Sequence, residues 1–83
     1  MTPARALYVE WVDSCGSAGW QGEAQITEAE KPFLCATAGF FVSENKEVLV
    51  LALNRAVTHN SAKPYGELMT IPKVAIKKRR TLK

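Results

Sequence analysis

The densest chemistry in this sequence is the run "KKRR" at Lys77, Lys78, Arg79 and Arg80, with Lys73 just before it. Adjacent cations of this kind suit phosphate, through charge and through the paired donors of arginine. Residues 73–83 hold six basic side chains and no acid, whereas residues 1–72 hold five bases against eight acids. The positive charge is therefore local, and nucleic-acid binding is expected to sit at this end rather than over a whole face. Terminal basic runs also serve simply to solubilise, and on a strand Lys77 and Arg79 face away from Lys78 and Arg80.

The remaining reactive residues do not assemble into a catalytic set. Cys15 lies in "DSCGSAGW", a turn that could present a thiol, with His59 as its base. No histidine, helix N-terminus or cation is placed beside it to lower its pKa, so an unreactive turn cysteine is expected. Cys15, Cys35 and His59, even with Asp13, lack the spacing of a zinc site, and Cys35 reads as a small core residue. "GSAG" lacks the lysine and following helix of a phosphate loop. Glu23, Glu28, Glu30, Glu44 and Glu47 lie in turns and loops and read as solvated surface. No enzyme activity, metal or cofactor is expected. Trp20 and Tyr65 sit in loops and could stack on a base or a small ligand, though Trp20 is at least as well used packing over one end of a barrel. The other aromatics, Tyr8, Trp11, Phe33, Phe40 and Phe41, are expected to pack.

The elements that must hold these residues are mostly strands. "ALYVEWV" (6–12) alternates, with Leu7, Val9 and Trp11 on one face. "PFLCATAGFFVSE" puts Leu34, Ala36, Ala38, Phe40 and Val42 on one face and Cys35, Thr37, Gly39 and Phe41 on the other. Gly39 in mid-strand predicts close packing or a bend. "SENKE" reads as a charged hairpin turn, and "VLVLALNRAV" as a return strand apolar on both faces, so both faces should be covered. "WQGEAQITEAEK" (20–31) reads as one helical turn or an irregular excursion, with Thr27 and Glu30 at capping-box spacing and Pro32 stopping it. Residues 58–67 form a loop. "LMTI", a tight turn at "PKVA", and "IKKRR" complete the chain, with Ile71, Val74 and Ile76 closing a barrel and 81–83 a frayed tail. The expectation is a single all-β domain over 1–83, a small five-stranded barrel of the SH3-like kind with at most one short helical turn.

Eighty-three residues bury little apolar surface, and 47% of them are hydrophobic, so self-association is expected. No run is long enough for a membrane helix, and the start "MTPARALYVEWVDS" lacks an apolar signal region; a cytoplasmic protein without membrane contact is expected.

Two resemblances extend this reading. "TAGFFVSENKEVLVLALN" and "GELMTIPKVAIKKR" resemble the central hairpin and the ending of the Sm-like fold, a bent five-stranded barrel whose last two strands are joined by one tight turn. The resemblance implies a homo-oligomeric ring, and RNA as a partner. Of the Sm-like RNA pocket pattern, only Asn45 and Lys73 loosely match. Three segments, similar to "VEWVDSCGSAGW", "CATAGFFV" and "YGELMTIPKVAI", resemble small bacteriophage-type proteins of uncharacterised role, which would place the chain in a host cytoplasm. The rival to RNA binding is an interaction or sequestering module. It would hold a host protein or a small charged metabolite at a subunit junction, through Trp20, Tyr65 and the 58–66 loop.

Overall fold

Alternation along "ALYVEWVD" puts Leu7 and Val9 into the core and leaves Tyr8 and Glu10 half-exposed. This is the first strand, β1 (Ala6–Asp13), of a computed structural model that describes residues 5–58 and 62–83. It is followed by α1 (Glu23–Ala29), β2 (Phe33–Glu44), β3 (Val48–Arg55), β4 (Tyr65–Pro72), a three-residue 3-10 turn (Lys73–Ala75) and β5 (Ile76–Leu82). The five strands form one antiparallel sheet in the order β4-β3-β2-β1-β5. The expected five-stranded, mainly β architecture is therefore present.

The two edge strands, β4 and β5, are consecutive in the chain and joined only by the 3-10 turn. Five strands spaced at about 4.8 Å would place the edges of a flat sheet about 19 Å apart. Three residues of 3-10 helix rise only about 6 Å. The sheet must curl strongly at that end. Its edges nonetheless stay unpaired with one another among the described residues, so the sheet is curled and open.

β2 makes the bend. Its first part pairs with β1 from Phe33 to Phe40, and its last part pairs with β3 from Phe40 to Glu44, with a register shift between Phe41 and Ser43. At the crossing, β3 comes so close that a Cβ on Gly39 would lie 2.9 Å from the Ala52 carbonyl oxygen. The mid-strand glycine thus has the close-packing role its position predicted.

The core is small. Leu7, Val9, Leu49, Leu51 and Ile71 cluster on the concave face, with Trp11, Phe41 and Ile76 packed against them. Trp11 donates its indole N–H to Thr37 Oγ1 at 3.0 Å. Beyond this cluster apolar surface continues into solvent at Phe33, Leu34, Leu53, Leu68, Met69 and Val74. On the core face of β3 the cover ends at Leu53, which is exposed. The second face is only partly covered: Val48 and Val50 are half-buried and Ala52 is buried. The excursion at 20–31 does not cover it, because α1 buries no residue.

Several details differ from the sequence reading. Val74, expected to help close a barrel, is 94% exposed, and Phe33, expected to pack, is half exposed. Thr81 and Leu82 are not a frayed tail; they pair with Leu7 and Ala6 at the end of β5, because β1 offers a free edge along its whole length. Thr27 does not begin the helix but lies inside it. α1 starts four residues earlier, where the Gly22 N–H donates to Gln25 Oε1 at 3.0 Å. His59 lies outside the described residues.

Candidate functional site

The basic run lies on β5, the outer edge next to β1, and the register decides what each cation meets. Tyr8 is opposite Arg80, Val9 opposite Arg79 and Glu10 opposite Lys78; the pairing then slips, so that Trp11 is opposite Ile76. Lys77 is the extra residue of this bulge, an irregularity typical of edge strands. Lys78 and Arg80 therefore share the outer face with Tyr8 and Glu10, while Arg79 shares the concave face with Val9.

On the outer face the Arg80 guanidinium stacks over the Tyr8 ring, 5.0 Å from its centroid. The Tyr8 hydroxyl donates to Glu10 Oε2 at 2.6 Å. That hydrogen bond to a carboxylate, helped by burial and by the Glu10 charge, raises the Tyr8 pKa above its usual value. Arg80 thus lies over a ring as a cation–π contact, and among the described residues no ion pair engages its guanidinium.

On the concave face Arg79 is occupied. Its two terminal nitrogens lie 3.0 and 3.4 Å from the two carboxylate oxygens of Glu44, and Lys73 Nζ lies 2.8 Å from Glu44 Oε2. Val9, the partner of Arg79, pairs on its other side with Thr37. Glu44 lies seven positions beyond Thr37, which in a straight strand would be about 23 Å. The contact exists only because β2 bends back over the core. A second tie, from the Lys73 N–H to the Glu47 carbonyl at 2.8 Å, fixes the 3-10 turn to the β2–β3 turn.

Glu44 was expected to be a solvated surface carboxylate, and it is instead the anchor of β5. Its partners lie 29 and 35 positions away in sequence, so no local pattern could have marked it. The hydrogen bonds from Arg79 and Lys73 lower its pKa from 4.5 to about 2. A carboxylate with a depressed folded-state pKa contributes stability above its unfolded pKa, and that contribution is lost as pH falls toward the folded value. The melting temperature should therefore drop between about pH 4.5 and about pH 2, and the Glu44→Gln variant should lack that component. Parallel melting-temperature profiles for the two proteins over this range would count against the anchor.

Of the six basic residues at this end, Lys73 and Arg79 are consumed in this way. Among the described residues no ion pair engages Lys77 or Lys78. The other candidate contacts are dispersed. Asn45 is committed to its own turn, its Oδ1 accepting from the N–H groups of Glu47 and Val48 at 2.8 and 2.9 Å. Tyr65 opens β4, the edge opposite β5, and is half-buried against Arg55 as its strand partner. Trp20 is fully exposed in the β1–β2 connection rather than packed over an end of the sheet. These residues do not converge with the basic edge. Cys15 is exposed and Cys35 half-buried, both as free thiols. The described residues contain no group of three potential metal ligands and no helix long and apolar enough to cross a membrane.

Compared with known proteins, the chain matches no family model, no curated sequence and no solved structure.

Proposed function

We propose that this protein is a non-enzymatic, self-associating binding protein whose β5 edge takes a polyanion such as single-stranded RNA. The observation that carries self-association is the amount of surface left in water. The chain exposes 6690 Å², more than 1000 Å² above the roughly 4900 Å² of a compact chain of its mass. Its radius of gyration is 16.7 Å, against about 12 Å for a compact domain of this length. The excess, about 1800 Å², is more than the roughly 800 Å² that one protomer contributes to a standard interface. The Sm-like resemblance points the same way, since it implies an oligomer built from a curled five-stranded sheet with a tight turn between its last two strands. Light scattering at micromolar concentration should return a mass of at least two chains.

Polyanion binding rests on Lys78 and Arg80, which share the outer face of the edge and are not engaged by Glu44. The variant Lys78→Gln/Arg80→Gln should keep the fold and lose roughly ten-fold or more in affinity for a single-stranded homopolymer at low salt. Its log–log salt slope should become shallower by about 1.4. Arg79 is excluded from this variant because removing it frees Glu44. Binding unchanged by the double substitution would remove the polyanion and leave the rival reading, a module that sequesters a host protein or a small charged metabolite at a subunit junction. That rival is favoured by the neutralisation of two of the six cations and by the apolar surface around Leu34 and Val74.

A further inference from the structure

Three features near the β1–β2 connection have no counterpart among the described residues. The first is α1. It has seven residues, none buried, with Ile26 half in solvent and the nearby Trp20 wholly so. A helix that short does not persist in water by itself, since about 12–15 residues are needed even in favourable sequences. Its last turn holds no base, and Glu28 and Glu30 lie at its negative end, an arrangement that a nearby cation would relieve. Lys31 reaches Glu28, at 2.9 Å, which leaves Glu23 and Glu30.

The second feature is an apolar shelf on the outer face. Val74, projecting from the 3-10 turn, lies beside Val12 and Leu34, with Glu10 and Lys77 at the rim. Val74 is 94% exposed and Leu34 64%, which is unusual for residues set next to one another in a folded chain. The third is Lys77, lifted out of the ladder by the bulge and without an ion pair among the described residues.

We infer that these are the two halves of one interface: the α1 arm of one copy lies on the shelf of a second copy. Ile26 and Trp20 cover Val74 and Leu34, and Glu23 and Glu30 face the partner's lysine at the shelf rim. The charges agree at Lys77, the cation the acidic arm meets at the edge of the apolar patch, while Glu10 at the same rim is held by the Tyr8 hydroxyl. The placement agrees as well. Leu34 follows α1 by a few residues and lines the shelf, so donor and receiver occupy the same end of each copy. A surface that carries both halves is self-complementary, as a two-fold contact requires. Lys78 and Arg80 stay outside the contact, so it is compatible with polyanion binding at the same edge.

The inference rests on the self-association reading and adds its surface and symmetry. Ile26→Asp and Val74→Asp change residues exposed in the single chain, so each should leave the circular dichroism of the protomer unchanged. Each should weaken self-association at least about 30-fold, as buried anchor residues do. Trp20 emission should shift to the blue as wild-type concentration rises and should not shift in Val74→Asp. Lys77→Glu should weaken association, and adding Glu23→Lys/Glu30→Lys to it should restore it. A native mass of two or more chains that both aspartate variants retain overturns the arm-on-shelf contact while leaving self-association standing. A wild-type protein monomeric up to about 100 µM, well above typical dissociation constants of specific dimers, overturns both.

Discussion

Leu51→Asp is expected to abolish cooperative folding. Leu51 is 1% exposed and stands at the centre of the concave face, paired across the sheet with Phe41 on one side and Met69 on the other. No cation belongs to the core cluster around it, so a carboxylate there would be desolvated and unpaired. Such a charge costs several kcal/mol, comparable with the whole stability of a domain whose core is this small. Thermal melts followed by circular dichroism should show no sigmoidal transition. The informative control is two residues away. Leu53 lies farther along the same strand but is 66% exposed, so Leu53→Asp should melt close to the wild type. A Leu51→Asp protein that melted within a few degrees of wild type would mean that this face is not the core.

Gly39→Ala is expected to have the second-largest effect, about 1–3 kcal/mol of destabilisation, from the addition of one methyl group. The new Cβ would meet the Ala52 carbonyl oxygen at 2.9 Å and the Leu51 Cβ at 3.3 Å. Both belong to the neighbouring strand, so relief requires β3 to move away from β2 at the point where the sheet turns. The Glu44 anchor depends on that turn, so loosening it should also weaken the hold on β5. Gly16 is the comparison: nothing lies within 4 Å of a Cβ built there, and Gly16→Ala should be nearly neutral. Equal melting temperatures for the two alanine variants would show that β2 and β3 are not in close contact.

Local patterns in the sequence were sufficient for the strands. Alternation at Leu7, Val9 and Trp11 selects a strand and the face it buries, because side chains on extended backbone repeat every two residues. Pro72 breaks the chain before β5, Pro32 stops the helix, and Gly39 marks the close approach, each for a reason carried by one residue type. The limits of β4 and β5 were less legible. Tyr65, Gly66, Thr81 and Leu82 have no alternation of their own and become strand only because β3 and β1 offer free edges.

The site was decided by the tertiary structure. Alternation alone separates Lys77 and Arg79 from Lys78 and Arg80, yet only the register with β1 turns Arg79 inward to Glu44, lays Arg80 on Tyr8, and pushes Lys77 out at a bulge. Glu44 itself carried no mark in the sequence, since its role depends on a bend in β2 that brings residues 35 positions apart within hydrogen-bond reach. The sequence determined how much apolar surface the protein has to bury. Only the fold, by curling a five-stranded sheet without closing it, decided how much of that surface remains on the outside.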